Sequence, residues 1–327
     1  MTRVEEGRTH FRPSLTYSRL SAPNHLFQPI SIGMANYRTV VRYFPPALHY
    51  LRQRKWVRRG DVLAYAPGVR APSFSTDALG FRHTNFQGRD IGIANIEDYG
   101  RLGLVLGSSH LFGFGLKANG ETLPSRLSER FGYPFLGVVY PEADTRTLHA
   151  TLFRLLRQAG KRIANVILIT GGDFTRYCYV ESADPLFGPP MLASDARSKQ
   201  AAGSDTEFAS FIHFTCFWTR ACGELAKEAG VPLSLAEDVT FFEKSNPDAT
   251  EAACELGVPR GELQTKRFTL HRRHFAASFA ARRKLAETCR LRLISFPEPA
   301  ELRFIDEYHY RAESQSLIAE RLAEQIG

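Results

Sequence analysis

Cysteine is scarce in this chain of 327 residues, and none of it is paired by spacing. Cys178, Cys216, Cys222, Cys254 and Cys289 are odd in number, form no CxxC, and have no histidine at metal-ligand spacing. That pattern argues against a disulfide framework and a structural zinc site, and predicts reduced, mostly buried thiols. No metal or cofactor is expected. Long apolar runs are also missing. The opening residues MTRVEEGRTH lack the apolar core of a secretory signal, and no later run is long enough to span a bilayer. The expectation is therefore a cytoplasmic chain with no membrane association. Internal repeats and low-complexity segments are absent as well, which excludes solenoid and fibrous architectures.

What is present is an ordinary globular composition. Hydrophobic residues make up 43% and charged residues 23%, so a sizeable core is available, as one large domain or a domain with an appendage. The formal net charge is +8, with the excess gathered in residues 52–59 and 267–292. A positive balance favours anionic partners without selecting one. Within Arg52-Gln53-Arg54-Lys55-Trp56-Val57-Arg58-Arg59, cations surround an aromatic, a combination that can serve phosphates and stacked bases. A solvated charged segment with Trp56 and Val57 packed inward is the favoured reading, and nucleic acid is not expected as a partner. His271, Arg272, Arg273 and His274 read as helix surface. Oligomeric state is open.

Residues 1–100, rich in Arg, Tyr, Phe and Pro, read as a basic, partly irregular or β-containing N-terminal extension. From residue 101 to 327 apolar strands alternate with amphipathic helices. Strands are predicted at 102–106, 135–139, 166–169, 231–235 and 291–295. Helices are predicted at 121–131, closed by Gly132, at 144–158, capped by Asp144, and at 206–229, 267–289 and 311–326. The 206–229 helix is apolar around most of its circumference and reads as buried. Residues 174–204 read as a long excursion. The alternation implies an α/β fold with a mostly parallel sheet and helices on both faces.

Reactive groups in such sheets collect at the carboxyl ends of strands. Three polar groups fall there: Ser109, the run Thr170-Gly171-Gly172-Asp173, and the loop holding Asp306 and His309. A serine hydroxyl needs a base within hydrogen-bond reach, and that base needs a third group to hold its tautomer. Ser109, His309 and Asp306 supply such a set in residue type. Glu237 and Asp238 are neighbouring carboxylates that offer only a weak cation site.

Gly107-Ser108-Ser109-His110-Leu111-Phe112-Gly113 is similar to the GDSxxxG block of the SGNH, or GDSL-like, hydrolase superfamily, and Asp306-Glu307-Tyr308-His309 to its terminal DxxH block. The resemblance spans roughly residues 78–326, with further likeness in Ala78-Leu79-Gly80-Phe81-Arg82, Gly113-Phe114-Gly115, Glu121-Thr122-Leu123-Pro124 and Ser316-Leu317-Ile318-Ala319-Glu320. The GxSxG elbow of the other large α/β hydrolase class is missing, since Leu111 stands where its glycine would be. The resemblance implies a flavodoxin-like three-layer αβα sandwich. It also implies a catalytic triad of Ser109, His309 and Asp306, with an oxyanion hole from Ser109, Tyr140 and Gly172.

Three positions depart from the pattern. Ser108 replaces the aspartate of the first block. The second-block glycine aligns with Tyr140, with Gly137 close by as a competing register. Gly172 stands where the third block has asparagine, and loss of one such side-chain donor costs about 10²–10³ in turnover. The expected function is an SGNH-type serine esterase or deacylase, a carboxylic ester hydrolase, acting on an acylated small molecule or saccharide. The alternatives are an acyltransferase using the same triad and a hydrolase-like binding protein with a degenerate site.

Overall fold

The computed structural model describes residues 34–53, 56–59, 62–140, 144–170, 205–256, 262–306 and 308–327. Contacts divide the chain into Met1–Ile30, outside the described residues, and Ser31–Gly327, which carries everything below. The excursion expected at 174–204, with Cys178, and the third-block residues Gly172 and Asp173 also lie outside the described residues.

Two short helices open the described chain, α1 (Met34–Tyr43) and α2 (Ala47–Arg52). They replace part of what reads in sequence as irregular or β structure. Pro45 and Pro46 end α1, because a residue before proline is disfavoured in the helical region. What holds this pair is tertiary: Val40 and Ala47 are buried with Phe114, Cys254 and Ile305 in a small core of their own. Two antiparallel hairpins follow, β1 (Trp56–Arg59) with β2 (Val62–Tyr65), and β3 (Thr84–Phe86) with β4 (Arg89–Ile91). The basic, aromatic segment at 52–59 thus runs from the end of α2 into a hairpin strand.

The main sheet contains β5 (Leu102–Gly107), β6 (Phe135–Val139), β7 (Ile163–Ile169), β8 (Leu233–Glu237) and β9 (Arg292–Ser295). All are parallel, in the order β6-β5-β7-β8-β9. Parallel neighbours need long crossovers, and helices supply them: α3 (Leu123–Phe131), α4 (Thr145–Ala159), α5 (Asp205–Glu228), then α6 (Ala249–Leu256) with α7 (Glu262–Cys289). The closing helix is α8 (Ala312–Ile326).

Side chains alternate across the strands, so each face builds its own core. Val105, Ile167, Ala236 and Ile294 pack with Leu123 and Leu127 of α3 and Ile318 and Leu322 of α8. Leu104, Leu106, Val166, Leu168 and Leu235 face the other way, onto Leu148 and Leu152 of α4, Cys222 and Ala226 of α5, and Ala286 of α7. This is the expected flavodoxin-like three-layer αβα sandwich.

Local signals set the element ends. Asp144 caps α4, its Oδ1 accepting from the Thr147 N–H at 2.7 Å. Strand β8 starts two residues later than its apolar run: Pro232 has no N–H to donate, and the ladder opens at Val166 with Leu233. The expected burial of α5 fails on one side, where Phe217 is 63% exposed and packs edge-on against Trp218.

Candidate active site

In a strand order of this kind the chain passes from β5 to β6 on one side and returns to β7 on the other. In open α/β sheets ligands bind at that reversal, here the carboxyl ends of β5 and β7. Ser109 occupies it. Strand β5 ends at Gly107, where a Cβ would meet Leu111 Cδ1 at 2.3 Å, so a larger residue would force the buried Leu111 side chain to move. Ser109–Leu111 then form a single 3-10 turn, with the Phe112 N–H donating to Ser109 O at 2.9 Å. Gly113 closes the motif at φ +83, and a Cβ there would press on Arg82 Nη1 at 2.9 Å.

Arg82 explains why the upstream residues matter. Its guanidinium is buried and donates to five acceptors: Asn119 Oδ1 (3.0 Å), Phe112 O (2.7 Å), Gly113 O (2.8 Å), Ser73 O (2.9 Å) and Ala118 O (3.0 Å). All five are uncharged. Burial pushes the guanidinium down to about 9, which still leaves it cationic at neutral pH. Arg82 therefore ties the loop after Ser109 to the hairpin region.

The loop before α8 carries the other two residues. His309 Nδ1 lies 2.8 Å from both oxygens of Asp306, which also accepts from the backbone N–H groups of Tyr308 (3.0 Å) and His309 (2.9 Å). Burial alone would raise the Asp306 carboxyl. The electrostatic interaction with His309 and these hydrogen bonds outweigh it and hold Asp306 below its ordinary value. The loop is anchored from beneath by a fully buried pair, Lys244 with Glu251 at 3.1 Å. Lys244 Nζ also donates to Leu302 O, and Glu251 Oε1 accepts from the Phe304 N–H at 2.8 Å. The Tyr310 hydroxyl donates to Val239 O, beyond β8.

The serine turn and the histidine loop touch. The Phe114 ring lies against His309 with centroids 5.0 Å apart, and a Cβ on Gly115 would meet Ile305 Cδ1 at 2.8 Å. Both Ser109 and His309 are partly open to solvent. No hydrogen bond joins them; among the described residues, neither Ser109 Oγ nor His309 Nε2 has a hydrogen-bond partner. Tyr140 follows β6, where Val139 is the ladder partner of Gly107, so its backbone lies beside the Ser108–Ser109 turn. Its side chain turns away, the hydroxyl 3.0 Å from Thr151 Oγ1 and the ring against Phe81. Gly172 lies outside the described residues.

The pairing of Glu237 and Asp238 as a cation site is corrected. Each already faces a guanidinium: Glu237 accepts from Arg283 Nε at 2.7 Å, and Asp238 Oδ1 from Arg282 Nη1 at 3.1 Å. Sequence reading also passed over His110, whose Nδ1 is 2.7 Å from Ser108 Oγ. Its place two residues beyond a serine was the only available signal.

Fold and site define a flavodoxin-like α/β protein carrying a serine turn and an aspartate–histidine pair at the sheet's carboxyl edge. No protein-family model and no curated protein sequence matches the chain. Among solved structures it is similar to a carbohydrate acetylesterase family member from Sinorhizobium meliloti (13% identity, 68% of this chain and 96% of that one, TM-score 0.44). It is similar also to a G-D-S-L family protein from Desulfitobacterium hafniense (10%, 69% and 99%, TM-score 0.43). A third is a carbohydrate esterase family 2 enzyme with its carbohydrate-binding domain from Corynascus thermopiles (13%, 78% and 74%, TM-score 0.41). Likeness at this level bears on neither activity nor substrate.

Proposed function

We propose that the protein is a serine ester hydrolase of SGNH type, in which Ser109 is the nucleophile, His309 the base and Asp306 the group that orients it. The observation that carries this reading is the Asp306–His309 pair. Its Nδ1 is fixed by a carboxylate at 2.8 Å, and its Nε2 is unengaged in a loop that touches the Ser109 turn. An imidazole held in that tautomer has its other nitrogen available as a proton acceptor.

In the reaction, Ser109 Oγ attacks the acyl carbonyl as His309 Nε2 takes its proton. His309 returns that proton to the leaving alcohol, and water, activated by the same nitrogen, releases the acid from the acyl-enzyme. The backbone N–H groups of Ser109, Tyr140 and Gly172 are the proposed oxyanion donors. The Ser109–His309 hydrogen bond closes when substrate is bound, a tightening familiar in enzymes described without ligand. The substrate is an acyl ester of a small molecule or saccharide.

A fluorophosphonate probe should modify the wild type at Ser109 and leave Ser109→Ala untouched. Hydrolysis of small acetyl esters should disappear in Ser109→Ala and His309→Ala and should fall on acidification, because a cationic imidazole accepts no proton. Activity retained in both variants would refute the assignment. The unmade Ser109–His309 bond favours, as a second reading, a hydrolase-like fold kept for binding. Folded wild type that takes no probe and cleaves no ester would be its signature. Acyl transfer to an added alcohol, followed against acetate release, separates a transferase from a hydrolase.

A further inference from the structure

Beneath the Ser109 turn runs a second serine–histidine–aspartate chain, which the proposed reaction does not use. Ser108 Oγ is 2.7 Å from His110 Nδ1, and His110 Nε2, which makes no hydrogen bond, faces Asp238 Oδ2 across 3.7 Å as an electrostatic contact. Asp238 Oδ1 accepts from Arg282 Nη1 at 3.1 Å, and that nitrogen also donates to Thr170 Oγ1 at 3.2 Å. Ser108, His110 and Asp238 are 6%, 6% and 3% exposed. The chain thus crosses the carboxyl end of the sheet, from the turn after β5 to the loop after β8, and through Arg282 of α7 to the end of β7.

Its polarity follows from its ends. Asp238 turns one oxygen to the Arg282 guanidinium and the other to His110 Nε2, and an acceptor oxygen there favours the N–H of the imidazole on the Nε2 side. That leaves Nδ1 as acceptor and the Ser108 hydroxyl as donor. Burial pushes His110 down to about 4, opposed by Asp238 and reinforced by nearby His309, so the ring is neutral at working pH. The titratable groups that face it are Asp238 from the β8 loop and His309 from the loop before α8. Arg282 and Glu243 stand behind Asp238.

Ser108 and His110 are the two residues flanking Ser109 in the chain, so their side-chain bond straddles it. We infer that Ser108, His110 and Asp238 form a positioning relay that fixes the backbone on both sides of Ser109 and so aims its hydroxyl and its N–H. Ser109's part in this rests on the proposed hydrolase reading. Misplacing a reacting atom by about 1 Å costs on the order of 10²-fold in rate, so partial loosening of the turn is a kinetic effect before it is a stability effect.

The test uses the full chain and two readouts. Labelling of Ser109 by a fluorophosphonate is timed in wild type, Ser108→Ala and Ser108→Thr. Ser108→Ala should slow the bond-forming step about 10-fold with little change in probe affinity, and Ser108→Thr, which keeps the hydroxyl, should recover most of it. In parallel, ¹⁵N-histidine spectra of the wild type should show His110 neutral, with Nε2 protonated and Nδ1 bare, from about pH 8 to about pH 5. Labelling of Ser108→Ala at the wild-type rate, or a His110 protonated on Nδ1, would overturn the relay. If Ser108→Ala does not fold, the wild-type tautomer alone decides. If the wild type takes no label at Ser109, the nucleophile assignment fails, and the tautomer still reports on the relay.

Discussion

Replacing Arg82 with lysine is the sharpest probe of how the Ser109 turn is held. Arg82 supplies five hydrogen bonds to four backbone carbonyls and Asn119 Oδ1, all at 2.7–3.0 Å, and its guanidinium stacks over the rings of Phe74 and Phe112. Lysine has three donors on one nitrogen, so at least two of the five bonds are lost; Gly113 O, Ala118 O and Asn119 Oδ1 keep a second donor, whereas Phe112 O and Ser73 O depend on Arg82. A buried acceptor left unsatisfied costs about 1–3 kcal/mol, which is the loss expected for each of Phe112 O and Ser73 O that lysine fails to reach. For a chain of this size about 1 kcal/mol corresponds to about 1.5 °C, so the fall in Tm is about 1.5–4 °C for each acceptor lost. Arg82→Ala removes all five bonds and belongs among the few substitutions that exceed about 4 kcal/mol. Thermal unfolding followed by circular dichroism measures the first effect. Since Phe112 O and Gly113 O directly follow the turn, fluorophosphonate labelling of Ser109 should slow in Arg82→Lys while it is still folded. A lysine variant that melts within about 1 °C of wild type and labels at the wild-type rate would refute the claim that this guanidinium organises the site.

Three further outcomes are expected. Asp306→Asn keeps the loop but no longer fixes the His309 tautomer, so ester turnover should drop by about 10²–10⁴; a change of only a few-fold would count against Asp306 as the orienting group. Lys244→Met leaves Glu251 buried without its cation and should cost about 3–5 kcal/mol at neutral pH. In that variant the Glu251 carboxyl is pushed up, so the penalty should shrink on acidification as it protonates, which urea unfolding at two pH values would reveal. In the wild type, burial pushes Glu243 up from its ordinary 4.5 to about 8, with Asp238 adding to the shift. Between those values the folded state holds a proton that the unfolded state has released, so stability falls as pH rises through that window. Glu243→Gln should flatten this part of the Tm-against-pH curve, and an unchanged slope would contradict the assignment.

Much of the fold was legible because its signals are local. The apolar runs of β5, β6 and β7, the Asp144 cap and Gly132 at the end of α3 each depend on residues within a turn of one another. Asp306 and His309 were legible for the same reason: three residues apart, they meet within one loop. The helices α1 and α2 were not, since neither has a strong pattern of its own and both are held by Phe114, Cys254 and Ile305 from distant segments. The exposure of Phe217 was equally invisible, because a helix apolar on all sides does not state which side its neighbours leave open.

By itself the sequence determined the residue types of the candidate site, the strand and helix pattern that implies a parallel sheet, and the nearness of Asp306 to His309. Only the tertiary structure decided the order β6-β5-β7-β8-β9, which sets the Ser109 turn at the point where the sheet reverses. It alone showed that Arg82 reaches Phe112 across 30 residues and Arg282 reaches Thr170 across 112. It also showed that Asp238 faces Arg282 and His110 instead of offering a cation site. The reason is physical: a buried charge must find a partner or be neutralised, and which partner it finds depends on what the folded chain brings within about 3 Å, not on what stands beside it in sequence.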